Sequence, residues 1–443
     1  MRLPPPSRLV QFADIGRHVA LARWRWAHLS RANLDAYQAA RIHRITAYAQ
    51  RHAPFYREHW RDHDLAQWQT LPSVDKQLMM QHFTAFNTHG VEREHAMRVA
   101  LDAERQRDFV PTVAGLTVGL SSGTSGHRGL FLVSPAEQRA WAGTILARIL
   151  HRLRRWPCHV AFFLRSNSNL YEQIGGRLVR LRYFDLMLPL EQAIDALNHF
   201  QPDLLVGPPS LLMLLARECG GALRIAPERL ISVAEVLEPQ DRDYLQRCFG
   251  VPVHQIYQCT EGLIAATCAH GSLHIQEDVV AIQCEPIPGD PARVIPIVTD
   301  LWRTAQPIVR YRLNDILHLS NASCGCGSDF RVIAGIEGRC DDIFDFPTRA
   351  GAARPVFPDL IRRMILLASP DIVDYQATQD RRGQIHIYLE VRPTGDWPDI
   401  AQALRRSVQT LLASYDCIAT SIEMTQGLLS VAAGAKRRRV WRR

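Results

Sequence analysis

Hydrophobic and polar positions follow two different periods over the first 260 residues. Residues 17–50 are rich in Ala, Leu and Arg and contain no Pro or Gly, which predicts one or two amphipathic helices. From about residue 115 to residue 260, short β-rich runs alternate with runs of helical period. We predict strands at 159–163, 203–206, 230–234 and 253–257, and helices at 135–153, 191–199, 210–219 and 239–248. This alternation is typical of an α/β fold with a mostly parallel sheet.

The pattern changes twice in the rest of the chain. Apolar runs at 279–287, 293–301 and 316–320 predict strands of a more antiparallel subdomain. Beyond residue 340, we predict a hairpin over 374–393 that turns at Arg382–Gly383, a helix over 397–414 and a strand over 418–425. The predicted organisation is a large N-terminal domain of several subdomains at 1–340 and a small α+β C-terminal domain at 341–443, joined by a hinge.

Composition and charge narrow the class of protein. Of the 443 residues, 47% are hydrophobic and 22% are charged, which is typical of folded domains rather than disorder. The N-terminus lacks the apolar core of a secretion signal, and no apolar run reaches the length of a membrane span. We therefore predict a cytoplasmic protein.

The formal net charge of +8 favours acidic partners such as nucleotides, phosphopantetheine carriers, nucleic acid or anionic lipid. Much of it lies in "AKRRRVWRR" at 435–443, for which a solvated tail is the simplest interpretation. Trp441 is the only aromatic residue within this basic run, so a nucleic-acid binder is the least favoured class. The sequence leaves the oligomeric state open, including a homodimer.

A glycine-rich segment, "LSSGTSGHRGL" at 120–130, follows a β-like run and precedes a predicted helix. Glycine lets backbone N–H groups converge on an anion, and nearby hydroxyl and guanidinium groups add donors. The segment is typical of a loop that holds a polyphosphate, although it lacks the Walker pattern. A plain surface turn is the alternative.

Four motifs in order resemble signatures of the adenylate-forming superfamily, which includes the acyl-CoA and aryl-CoA ligases. They are "SSGTSG" (121–126), "YQCTEG" (257–262), "YRLNDI" (311–316) and "GRCDDI" (338–343). "APFYREHW" (53–60) and "LPSVDK" (71–76) resemble the branch of phenylacetate–CoA ligase, coenzyme F-390 synthetase and the CapK-like proteins. The chain departs from these patterns at Leu313 and Asn314, at Arg128 in place of a lysine, and at Ala435 before Lys436.

The resemblance implies an ATP-dependent and Mg²⁺-dependent enzyme whose N-terminal domain adenylates a carboxylate. It implies that Ser122, Gly123, Thr124, Ser125 and Gly126 hold the β- and γ-phosphates. It places Ser121 among the nucleotide-binding residues and Arg128 among the catalytic ones, gripping phosphate in place of the lysine. It further assigns Thr260 to the α-phosphate, Glu261 to Mg²⁺, Tyr257 to adenine, Asp315 to the ribose, Arg339 to ribose or phosphate, Asp341 to the hinge and Lys436 to adenylation. A surface salt bridge is the alternative for Asp315 and Arg339.

The branch also implies an aromatic acid of the benzoate or phenylacetate type. Candidate residues for the acyl pocket are Tyr171, Pro208, Ala234 and Glu235. The acceptor is either CoA or the phosphopantetheine arm of an acidic acyl carrier protein. Two rival functions stay open, namely AMP transfer to a phenolic hydroxyl and a degenerate nucleotide-binding regulatory protein.

Cysteine and histidine cluster in two short segments. Cys324 and Cys326 form a Cys-x-Cys pair, while Cys268 lies near His270 and His274. Zn²⁺ prefers four tetrahedral N/S ligands, and these segments could supply them. By resemblance to zinc-carrying members of the branch, we predict a structural zinc bound by Cys268, His274, Cys324 and Cys326. Buried free thiols and a core histidine are the alternative.

Overall fold

The computed structural model describes residues 8–108, 110–121, 129–150, 156–164, 179–287, 290–430 and 438–443. The chain divides into two compact units. The large unit comprises Met1–Leu313 and Leu319–Ala334, and the small unit comprises Asn314–His318 and Gly335–Arg443. The predicted domain boundary at residue 340 and the hinge stay predictions. None of the helices in the described ranges combines the length and the apolar character that a membrane crossing requires.

The N-terminal pattern forms two helices rather than one. The first ends at His28, and Ser30 caps the second by accepting a hydrogen bond from the N–H of Asn33. The helices described in the large unit are Arg8–His28, Arg31–His52, Pro54–His59, Lys76–Gln81, Phe83–Phe86, Arg93–Gln106, Pro135–Ile149, Leu190–Phe200, Pro209–Arg217 and Pro239–Phe249, with a 3₁₀ helix at Leu65–Thr70.

The centre of the large unit is a mixed sheet. Five parallel strands lie side by side in the order Val179–Asp185, Cys158–Leu164, Leu204–Gly207, Arg229–Val233 and Val253–Cys259. Gly262–Thr267 and Leu273–Ile275 continue this sheet antiparallel. Val280–Ile287 pairs with Asp290–Asp300, which also pairs with Tyr311–Arg312. The predicted α/β fold class is therefore confirmed.

Helices cover both faces of this sheet, which explains the continuous apolar runs of its strands. All four residues of Leu204–Gly207 are buried. On one face, Phe163 and Leu205 pack with Leu212 of a crossover helix. On the other face, Val160 packs with Leu146 and with Ile15 of the N-terminal helix. In such sheets, ligands usually bind beyond the carboxyl ends of the strands.

A three-stranded antiparallel sheet frames the glycine-rich segment. It consists of Thr112–Val113, Leu116–Leu120 and Leu130–Val133. Leu120 pairs directly with Leu130, so the segment between them leaves and rejoins one hairpin. The next helix begins at Pro135 with a capping box between Ser134 and Glu137.

The small unit packs two helices on a four-stranded sheet. The helices are Pro358–Leu366 and Trp397–Ser414, and the sheet order is Ser421–Gln426, Gln384–Val391, Ile372–Gln379 and Val440–Arg442. Phe344–Pro347 pairs with Ala353–Val356, and Cys340–Asp342 is a 3₁₀ helix. Asp315–Ser320 and Val332–Arg339 belong to the same sheet as Leu273–Ile275. The last predicted strand starts at Ser421 rather than at residue 418, because the N–H groups of Ile418 and Thr420 donate to Pro347 and Gly383.

The solvated-tail interpretation is wrong for residues 438–443. Val440–Arg442 forms the fourth strand of the small unit, parallel to Ile372–Gln379. Each flanking arginine has an acidic partner: Arg438 pairs with Asp342, Arg439 with Asp374 at 3.0 Å, and Arg442 with Asp345 at 2.9 Å. These charges stabilise the small unit, so they contribute less to an acidic docking surface than the sequence suggested.

Candidate adenylation site and metal centre

The glycine-rich segment is closed at its base by two hydrogen bonds of 2.7 Å. The Ser121 N–H donates to the Gly129 carbonyl, and the Gly129 N–H donates to the Ser121 hydroxyl. The predicted phosphate-binding residues Ser122, Gly123, Thr124, Ser125, Gly126 and Arg128 lie outside the described residues. Their roles stay predictions.

Lys76, which is not among the predicted site residues, lies at this base. A Cβ atom built on Gly129 would lie 3.1 Å from Lys76 Cε, so the lysine side chain packs against the start of the second strand of the hairpin. The sequence did single out Lys76, because Lys76 and Lys436 are the only lysines among the 52 Lys and Arg residues of the chain. Lys436 itself lies outside the described residues.

Thr260 and Glu261 form the tight turn between Val253–Cys259 and Gly262–Thr267. Glu261 is buried, and Tyr257 lies half-buried on the strand before the turn. Burial, together with the negative charge of Glu261, raises the pKa of Tyr311 above its ordinary range. A buried carboxylate at the carboxyl end of a central parallel strand is a suitable ligand for a hard cation such as Mg²⁺.

The candidate pocket residues follow the two neighbouring strands. Pro208 comes directly after Leu204–Gly207, and Ala234, with φ +69°, directly follows Arg229–Val233. Glu235 accepts hydrogen bonds of 3.1 Å from the backbone N–H and the hydroxyl of Ser210. Because Leu204–Gly207, Arg229–Val233 and Val253–Cys259 are adjacent and parallel, these residues lie at the same edge of the sheet as Thr260. Tyr171 lies outside the described residues.

The other two predicted nucleotide motifs meet in the small unit. Asp315 and Arg339 form an ion pair, with Oδ1 and Nε 3.8 Å apart. The Cys340 N–H donates to the Asn314 carbonyl at 2.8 Å, and the Asn314 side chain bonds to Asp341. Asn314, which departs from the motif pattern, therefore contacts Asp341, the predicted hinge residue. Whether these groups bind the ribose stays a prediction.

The predicted metal ligands come together. The donor atoms of Cys268, His274, Cys324 and Cys326 all lie within 4.8 Å of one another. Cys268 Sγ and Cys324 Sγ are 3.7 Å apart, and Cys326 Sγ lies 3.5 Å from His274 Nε2. Ligand atoms around a tetrahedral zinc lie roughly 3.5–3.8 Å apart, given bond lengths of about 2.0–2.3 Å. The geometry therefore fits a Cys₃His site.

Surrounding groups orient the histidine and favour the thiolate of Cys324, whereas burial raises the pKa of Cys326 to about 12. The His274 Nδ1–H donates to the Phe330 carbonyl at 2.7 Å, which directs Nε2 toward the thiols. Burial alone would raise the pKa of Cys324, but hydrogen bonds with Ser272, the Cys326 N–H and His274 lower it to about 6. Thiolate is the form in which cysteine binds metals.

The fold of this chain is similar to that of a known class of enzymes. The chain matches a 2-hydroxyisobutyryl-CoA ligase, solved in the postadenylation state in complex with 2-HIB-AMP, with a TM-score of 0.72. The match covers 94% of this chain and 90% of that protein, at 18% identity. The chain therefore has the fold of the adenylate-forming superfamily, with a small C-terminal unit, and the resemblance inferred from the motifs is confirmed.

Sequence relatives place the chain within this class. Phenylacetate-coenzyme A ligase of Thermus thermophilus is 26% identical over 384 residues, which cover 81% of this chain and 80% of the relative. Protein CapK of Staphylococcus aureus is 26% identical over 221 residues, so the match spans about half of each protein, 49% of this chain and 48% of CapK. No family profile matches the chain.

Proposed function

We propose that this chain is an ATP-dependent carboxylate–thiol ligase that forms an acyl adenylate. The observation that carries the proposal is the edge of the parallel sheet, where Pro208, Ala234 and the Thr260–Glu261 turn follow three adjacent strands. This edge carries two apolar residues, Pro208 and Ala234, and the buried carboxylate of Glu261 after adjacent strands. The fold and the phenylacetate-coenzyme A ligase relative support the same reaction.

The reaction proceeds in two steps. A carboxylate oxygen attacks the α-phosphorus of ATP, the bond to the β-phosphate breaks, and pyrophosphate leaves. A thiolate then attacks the acyl carbon, the acyl–oxygen bond breaks, and AMP leaves. In the first step, the hydroxyl of Thr260 donates a hydrogen bond to the α-phosphate. Glu261 would hold Mg²⁺, which neutralises phosphate charge when bound.

The substrate proposal is an aromatic acid of the benzoate or phenylacetate type, which the name of the Thermus relative supports. The thiol belongs to CoA or to the phosphopantetheine arm of an acyl carrier protein. A cytoplasmic location stays a prediction, and a homodimer stays open.

The test is pyrophosphate release measured with a panel of acids that includes benzoate, hydroxybenzoates, phenylacetate and 2-hydroxyisobutyrate. Each acid is assayed alone, with CoA and with a holo carrier protein. We expect an aromatic acid to give the highest kcat/KM, and one thiol to yield a thioester. Free AMP should appear only when that thiol is present in excess. If AMP instead becomes attached to a phenolic hydroxyl and no thioester forms, the AMP-transfer alternative is correct. If no acid elicits pyrophosphate, the ligase proposal is wrong.

We further propose that the Cys268, His274, Cys324 and Cys326 cluster binds one structural Zn²⁺. Four protein ligands leave no open position for a substrate, which is typical of structural sites. The cluster joins the strand Leu273–Ile275 to the segment before Val332–Arg339 through His274 and Cys326. A metal here would therefore stabilise the antiparallel part of the large unit.

Protein purified without chelator is expected to contain one zinc per chain. Cys326→Ser should lower the melting temperature by about 5–10 °C, because loss of a ligand weakens a metal site that contributes to folding. Cys248→Ser, which changes a thiol outside the cluster, serves as the control and should shift the melting temperature much less. Elemental analysis that finds no zinc in the active wild-type protein would contradict the proposal.

A further inference from the structure

A buried guanidinium holds the turn that carries Thr260 and Glu261. Arg303 is only 7% exposed. Its Nη1 donates to the Thr260 carbonyl, and its Nη2 donates to the Leu132 carbonyl at 3.2 Å and to Gln306 Oε1 at 3.3 Å. Leu132 belongs to Leu130–Val133, the strand that begins directly after the glycine-rich segment. One side chain thus connects the two elements to which the adenylation motifs are attached.

Other buried groups fix Arg303 in turn. Asp300 Oδ1 accepts from the N–H groups of Trp302 at 2.8 Å and of Arg303 at 3.0 Å. Gln306 Oε1 also accepts from the Leu132 N–H at 2.9 Å. The carboxylate of Glu137, which belongs to the capping box of the following helix, accepts from the Ala305 N–H at 2.9 Å.

The segment that contains Asp300 and Arg303 also contacts the other end of the turn formed by Thr260 and Glu261. A Cβ atom built on Gly262 would lie 3.3 Å from Asp300 Oδ2, so the carboxylate lies against the turn. Arg303 and Asp300 therefore contact the turn at residue 260 and at residue 262.

We infer that Arg303 is a positioning residue for adenylation, acting through the backbone of Thr260. The inference rests on the proposed function. Arg303 does not need to touch ATP: it fixes the Thr260 carbonyl and the strand after the glycine-rich segment relative to each other. Charge-assisted hydrogen bonds in a desolvated site are strong and directional, and only the guanidinium fork reaches several acceptors at once.

The test is a double-mutant cycle between Arg303→Met and Thr260→Ala, measured on full-length protein. In the wild-type background, Arg303→Met should lower the kcat of acid-dependent pyrophosphate release by about 10²-fold, the usual effect of a small displacement of a reacting group. In the Thr260→Ala background, the same change should lower kcat by a clearly smaller factor, because the hydroxyl that Arg303 positions through the Thr260 backbone is already gone. If Arg303→Met does not fold, Arg303→Lys replaces it in the cycle, since it keeps the charge and loses the fork.

Arg148→Met is the matched control. Arg148 is also 7% exposed and donates to a backbone carbonyl, that of Ala22, but it pairs with Asp278 away from the turn. It should lower the melting temperature and leave kcat near the wild-type value. Additive losses in the cycle, or an equal loss of kcat in the control, would overturn the inference.

The failure of the proposed function is recognised separately. In that case the wild-type protein releases no pyrophosphate with any acid. The cycle is then measured on the dissociation constant of MgATP by calorimetry, where non-additive effects support the positioning role and additive effects contradict it.

Discussion

Lys436→Ala is expected to lose acyl-adenylate formation and to keep thioester formation from supplied acyl adenylate. By resemblance, Lys436 supplies positive charge to the adenylation transition state, and removal of such a group costs about 10²–10³-fold in kcat. Two neighbouring arginines are poorly placed to replace it. Arg438 is paired with Asp342, and Arg439 is paired with Asp374 in a buried ion pair.

The measurement compares pyrophosphate release with CoA acylation from synthetic acyl adenylate. Arg442→Ala is the control, since it removes an exposed basic residue of the same terminal segment, whose partner is the half-buried Asp345. It should leave the rates of both half-reactions nearly unchanged, because a surface ion pair contributes little free energy. An equal loss of both half-reactions in folded Lys436→Ala would remove this lysine from its assigned role.

Asp341→Pro is expected to show the opposite pattern. The superfamily resemblance implies that the C-terminal domain adopts one orientation for adenylation and another for thiol transfer, with Asp341 as the hinge. Proline fixes φ near −65°, so it prevents rotation at this position. The variant should form adenylate and release pyrophosphate, while thioester formation falls by about 10²-fold or more, the scale of misplaced reacting groups.

Asp341→Ala provides the control for this variant. It removes the hydrogen bond between Asp341 and Asn314 but leaves the backbone free to rotate. We expect it to retain thioester formation. If both variants lose thioester formation, the side chain rather than the rotation matters; if both retain it, neither matters; either result would make the hinge assignment wrong.

The fold was predictable because local patterns determined most of it. Leu204–Gly207 and the strands beside it, Cys158–Leu164 and Arg229–Val233, are mostly apolar, and the crossover helices carry a clear helical period. Val179–Asp185 contains two arginines and an aspartate and was not predicted. The metal cluster was predictable in part, because Cys-x-Cys and the nearby Cys268, His270 and His274 are suitable metal ligands, while the choice of His274 rested on the resemblance to zinc-carrying proteins.

The missed features depend on contacts between distant residues. The partners of Arg438, Arg439 and Arg442 lie 96, 65 and 97 residues earlier, so the basic run looked like a tail rather than a strand. Arg303 lies outside every motif, and its bonds to Thr260 and Leu132 span 43 and 171 residues. No local period or spacing in the sequence predicts such long-range hydrogen bonds and ion pairs.

The central claim is that this chain activates a carboxylate through an acyl adenylate, and isotope transfer tests it most directly. The enzyme is supplied with ATP, its thiol acceptor and a preferred acid whose carboxylate carries ¹⁸O at both positions, and the released AMP is analysed by mass spectrometry. Attack of the carboxylate on the α-phosphorus predicts AMP that carries one ¹⁸O in its phosphate. Unlabelled AMP, formed together with thioester, would contradict the account.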